Sequence, residues 1–162
     1  YSPKTALRFI NEVVNHGIYP VMFEQPVHKN DLAGMKHVRD NTEILVGADE
    51  SVFTRADAIN IVRTGCADAI NIKLMKSCII EALDIAAVAR SANLKLMIGC
   101  MVETNLALGC AVHFAAGVGG FEFIDLDPSF EASECPVKGG PVFKAPHWTI
   151  GPEPGLGFSS RQ

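Results

Sequence analysis

The sequence predicts an α/β fold: a partial TIM-type (β/α) barrel of about five parallel strands with helices, followed by an irregular C-terminal tail. Three observations carry that prediction. Short apolar runs alternate with helix-like segments, and Glu24, Asp49 and Lys73, each at the end of such a run, stand 25 and 24 residues apart. The runs are almost continuously apolar, as befits parallel strands buried on both faces. The segment after the first run, FEQPVHKND, is not the Gly-rich phosphate loop that an open doubly wound sheet would place there.

The elements follow in order. Ser2 caps a first helix, with Pro3 at its first position and Ala6, Phe9, Ile10, Val13 and Val14 at helical spacing. Asn15-His16-Gly17 ends it. A strand over Tyr19 to Glu24, a helix over Asp31 to Asn41 and a strand over Ile44 to Ala48 come next. Thr54 caps a helix closed by Gly65, and Ala69 to Lys73 forms the third strand. Cys78 to Ala92 is a strongly apolar helix, Lys95 to Gly99 the fourth strand, Asn105 to Ala116 a helix and Phe121 to Leu126 the fifth strand. Beyond Asp127, Pro and Gly become dense. Residues 1–128 are therefore assigned to the barrel, and residues 129–162 to a tail that packs back on it or on a part outside this chain. A whole barrel needs eight strand–helix units and roughly 250 residues. This chain opens on a helix, so an N-terminal half is expected to be absent.

Composition excludes several classes. The 162 residues are 48% hydrophobic and carry a net charge of −4, which gives no basic footprint for nucleic acid. No apolar run is long enough to span a membrane. The five cysteines, Cys66, Cys78, Cys100, Cys110 and Cys135, show no CxxC spacing and read as reduced thiols. YSPKTALRF is neither a signal nor a transit peptide, so an intracellular, cytoplasmic location is expected; any targeting segment would belong to the absent N-terminus.

Strand-end positions in a parallel barrel share one rim. Glu24, Asp49, Lys73 and Asp125 should converge there. Two carboxylates suit a divalent cation, and a lysine beside them suits proton transfer. The competing readings are a solvated Glu24, an Asp49 that only caps a turn, and a solvated Asp-x-Asp turn at Asp125 and Asp127. Lys73 lies on an apolar strand in phase with Asn71, where lysine is rarely buried without purpose. Lys76, beyond the strand, reads as a surface charge. Glu50 reads as a residue that supports the ligands from behind or as structural, the five histidines as structural, and Cys100 as a small buried side chain. Trp148 and the PGLGF tail are expected to pack under the barrel or against a domain outside this chain.

Taken together and in order, FEQP, GADES, INIKLMK, MIGCMVE, DLD and PGLGF resemble the barrel domain of the enolase superfamily, in its muconate-lactonizing branch, most closely the dipeptide epimerases. The resemblance covers residues 1 to about 157. It implies Mg²⁺-dependent removal of a proton α to a carboxylate, with epimerisation of a dipeptide such as L-Ala-D/L-Glu. It implies Glu24 and Asp49 as two of three metal ligands and Lys73 as one of two acid/base lysines. Asp125 and Asp127 would hold the substrate's ammonium group, and Cys100 and Met101 would line its pocket. A nearby cation and partial burial are expected to lower the pKa of Lys73. The third ligand, the second lysine of a K-x-K and a capping domain lie outside this chain.

Muconate cycloisomerase and o-succinylbenzoate synthase share this chemistry. From other classes, a Schiff-base aldolase would use Lys73 but has no need of the carboxylate pair, and a structural or binding fragment would use neither. Alone, the 162 residues are expected to be inert, and to self-associate or require their N-terminal half.

Overall fold

The computed structural model describes residues 1–127 and 137–160. Cys135 and the 128/129 boundary fall outside the described residues. The first part runs α1 (Pro3–Asn15), β1 (Met22–Glu24), α2 (Leu32–Arg39), β2 (Leu45–Ala48), α3 (Arg55–Thr64), β3 (Ala69–Ile72), α4 (Leu74–Ser91), β4 (Lys95–Gly99), α5 (Asn105–Val118) and β5 (Phe123–Asp125). The five strands pair in parallel in the order β1-β2-β3-β4-β5. A doubly wound sheet reverses its order at a switch point. Here each strand lies beside its sequence neighbour without reversal, which is the winding of a barrel. Helices then cover one face of the sheet and the other face becomes the lumen.

The core lies between helices and sheet. Val46, Ile70, Ile72, Leu96 and Ile98 from the strands meet Met35, Val38, Ile61, Ile85 and Ala86 from the helices. The small faces of α4 (Ala82, Ala86, Ala89) are buried and let the helix sit close to the sheet. The predicted caps are present: Ser2 accepts from the Thr5 amide, and Thr54 and Asp57 form a reciprocal capping box. Among the described residues no helix is long and apolar enough to cross a membrane.

Two glycines clear the lumen. A methyl group at Gly47 would stand 2.7 Å from Met22 Sδ. One at Gly99 would stand 2.8 Å from Asn71 Nδ2 and 3.1 Å from Lys73 Cε. Both positions need a residue without Cβ so that side chains from neighbouring strands can cross them.

Several boundaries differ from expectation. The first and fifth strands are shorter, at three residues each. Lys73 is the cap residue of α4 rather than the last residue of β3. The helix expected from Cys78 begins at Leu74 instead and is broken at Cys78 (φ 59°, ψ −178°). The chain thus makes one turn over 74–77, resets its direction, and resumes as a helix.

The tail is more regular than its Pro and Gly content suggested. β6 (Val137–Gly139) pairs antiparallel with β9 (Phe158–Ser160), and β7 (Val142–Lys144) with β8 (His147–Thr149). Trp148 packs against Phe143 in a tilted pair, ring centroids 5.1 Å apart, and its Nε1 donates to the Leu126 carbonyl at 3.0 Å. On α5, a methyl at Gly109 would come within 2.5 Å of the Phe158 ring. Pairing in the tail ladders, not local propensity, orders these short strands.

The Cys78 backbone lies in a region that only glycine occupies without strain. Cys78→Gly is expected to stabilise the protein by about 1 kcal/mol, since relief of about 1–3 kcal/mol of strain outweighs the extra entropy of an unfolded glycine. A higher urea midpoint would bear this out, and a lower one would contradict it.

Candidate active site

The candidate residues sit where their strands end. Glu24 closes β1, Asp49 follows β2, Lys73 follows β3, Cys100 follows β4 and Asp125 closes β5. Register carries the alignment across the sheet: Glu24 lies opposite Gly47, Asn71 opposite Met97 and Gly99 opposite Asp125. The four residues expected to converge therefore share the C-terminal rim.

Asp49 is the centre of the arrangement. It is 4% exposed. Lys73 Nζ donates to its Oδ2 at 2.6 Å, and Lys76 Nζ donates to its Oδ1 at 2.6 Å. Its own amide donates to Gln25 Oε1 at 2.9 Å. Burial by itself would raise the Asp49 carboxyl, but the two lysine hydrogen bonds and their charges outweigh it and hold the group below the ordinary carboxylate value.

The lysines are shifted in opposite directions. For Lys73 burial pulls downward, yet the Asp49 hydrogen bond and the charges of Asp49, Glu24 and Glu50 leave it above the ordinary lysine value. The carboxylates around Lys73 outweigh its partial burial, which leaves the expected lowering to the cation. Lys76 corrects one expectation. Its side chain is 2% exposed, not a surface charge, and burial pulls it below the ordinary value despite Asp49.

Glu24 is held by Asn71, whose Nδ2 donates to Glu24 Oε1 at 2.6 Å. Burial, with the neighbouring Asp49 carboxylate, keeps Glu24 above its ordinary value despite Asn71 and Lys73. Asn71 itself is buried, and its Oδ1 has no donor among the described residues. Two adjacent carboxylates, Asp49 buried and Glu24 half-buried with its anion disfavoured, are hard oxygen donors short of positive charge. Such a donor set fits a divalent cation of the Mg²⁺ type. Among the described residues no three His, Cys, Asp or Glu are grouped to hold a metal. Glu24, Gln25, His28, Lys29, Asp49 and Glu50 line one cleft of about 520 Å³.

Asp125 and Asp127 line a separate hollow of about 640 Å³, closed by Phe143, Pro146, His147 and Trp148. Cys100 lies beside them. Burial raises its thiol, opposed by the Asp127 backbone and reinforced by the charges of Glu103, Asp127 and Asp125. Met101 is half-exposed, and its amide donates to the buried Glu103 Oε1 at 2.9 Å.

Gln25 and Lys76 were not anticipated. Gln25 adopts φ 39° and ties two rim loops together, accepting from the Asp49 and Ser51 amides and donating to Ser51 Oγ at 2.9 Å. The conformation and reach of Gln25 have no sequence signature. Lys76 had a faint one, since its spacing from Lys73 is one helical turn.

Comparison with known proteins bears on this rim. An L-Ala-D/L-Glu epimerase of Thermotoga maritima is 42% identical over 150 residues, 93% of this chain and 44% of that protein. The substrate-liganded L-Ala-D/L-Glu epimerase of Bacillus subtilis superposes with a TM-score of 0.94 at 38% identity, over 99% of this chain and 45% of that one. A dipeptide epimerase of Enterococcus faecalis, complexed with Mg and L-Leu-L-Tyr, gives 0.91 at 39% identity, over 98% and 45%. The chain spans less than half the length of these relatives. The family described as Enolase C-terminal domain-like matches residues 1–162, and the chain belongs to it.

Proposed function

We propose that this chain supplies one side of the active site of a Mg²⁺-dependent dipeptide epimerase, which is complete only with residues outside the chain. The observation that carries the reading is the contact of Lys73 Nζ with Asp49 Oδ2 at 2.6 Å, on the same rim as Glu24. The epimerase relatives support the substrate class.

Removing a proton α to a carboxylate leaves an enediolate, and its negative charge must be met where it develops. Held by Glu24 and Asp49, Mg²⁺ would supply that charge and offset the two anions beside Lys73. Lys73 is the acid/base group for one face of the α-carbon. Among the described residues Asp49 Oδ2 is the one acceptor its ammonium engages, so its remaining valences stay available to a substrate. Asn71 orients Glu24, and Gly99 leaves the space through which Lys73 reaches the lumen. A second base must return the proton on the opposite face, and the third metal ligand comes from the same outside portion. Asp125 and Asp127 hold the ammonium end of the dipeptide, with Cys100 and Met101 beside it.

Two outcomes follow for the intact protein. Lys73→Ala is expected to lower kcat by about 10²–10⁴-fold. It should also abolish α-proton exchange with D₂O for one enantiomer more than for the other; equal loss for both would remove Lys73 from the α-proton step. Asp125→Asn combined with Asp127→Asn is expected to lose about 2–5 kcal/mol in dipeptide kcat/KM with Mg²⁺ affinity retained. An unchanged kcat/KM would favour a cycloisomerase acting on a substrate without an ammonium group.

A further inference from the structure

Lys76 has no part in the reaction as set out above, yet it is among the most enclosed charges of the rim. Its ammonium has three N–H groups, and the structure shows three acceptors: Asp49 Oδ1 at 2.6 Å, the Asp49 carbonyl at 2.8 Å and the Asn71 carbonyl at 2.9 Å. The Phe53 ring lies over it at 5.7 Å. We infer that Lys76 is a positioning residue that clamps Asp49 through Oδ1, so that only Oδ2 is presented to Lys73 and to the cation. The clamp is a matter of geometry; its kinetic consequence rests on the epimerase reading.

The need for a clamp follows from the aspartate side chain. Its terminal torsion is broad and intrinsically poorly fixed. Gln25 fixes the Asp49 amide but does not reach the carboxylate. Lys76 grips carboxylate and carbonyl of the same residue, which fixes the carboxylate plane against its own backbone. Its third bond, to the Asn71 carbonyl, ties that plane to the residue that orients Glu24.

Local backbone delivers this reach. The Lys76 amide donates to the Lys73 carbonyl at 2.9 Å, closing a single turn, and the break at Cys78 then redirects α4 away from the rim. Both lysines thus point at one carboxylate from one turn. Lys76 is not a second proton carrier, because all its N–H groups are committed and it is sealed from the lumen.

The test uses the intact protein with Lys76→Met, which keeps the stem and removes the donors, and Lys76→Arg, which keeps charge and donors. Without substrate, Mn²⁺ affinity read by electron paramagnetic resonance is expected to weaken about tenfold in Lys76→Met, and to stay within about threefold of wild type in Lys76→Arg. With a dipeptide in D₂O, Lys76→Met is expected to lower kcat about 100-fold with KM nearly unchanged, and to slow exchange mainly on the face served by Lys73. Unaltered or tighter Mn²⁺ binding in Lys76→Met, or equal slowing of both faces, would overturn the clamp. If the wild-type protein binds Mn²⁺ but exchanges no dipeptide proton, the epimerase reading fails, and the Mn²⁺ affinities alone decide on Lys76. Should Lys76→Met not fold, Lys76→Gln is read by the same two measurements.

Discussion

A carboxylate taken out of water is costly unless charge and hydrogen bonds replace its hydration. Asp49 is that case, and the rim is organised around it. Two ammonium groups meet its two oxygens, Gln25 receives its amide, and Lys76 also takes its carbonyl. Remove Asp49, and Lys76 is left buried with its charge unpaired, while Lys73 loses the interaction that fixes its position. Glu24 stands next to this cluster with less support. Asn71 is its hydrogen-bond donor, and burial disfavours its anion. The site as it stands is rich in negative charge around Glu24, and already neutralised around Asp49 by groups that a cation would partly relieve.

The fold makes such a cluster possible because sequential parallel winding brings consecutive strand ends side by side. Each strand needs only one functional side chain at its end. The lumen then needs small residues where side chains cross, and Gly47 and Gly99 meet that need. On the outer face, packing of α4 against β3, with α3 against α4, holds Lys73 in place from behind.

Much of this was legible in the sequence because it depends on period. Intervals of 25 and 24 residues place Glu24, Asp49 and Lys73 on one rim, and near-continuous apolar runs mark buried strands. What depends on side-chain reach was not legible. Lys76 looked like a surface charge because the sequence carries no mark of the break at Cys78 that confines its turn to the rim. The raised Lys73 was not legible either, because it is set by a balance between burial and three carboxylates whose distances the sequence does not carry. The tail looked irregular because its strands are three residues long, and β6 is ordered by a partner, β9, far along the chain.

The central claim is that Glu24 and Asp49 share one divalent cation. The most direct measurement is calorimetric titration of Mg²⁺ into the intact protein, compared with Glu24→Gln and Asp49→Asn. One Mg²⁺ per chain, with affinity falling at least about tenfold in either variant, is the predicted result. Stoichiometric binding that neither substitution weakens would show that the cation lies elsewhere, and would contradict the account.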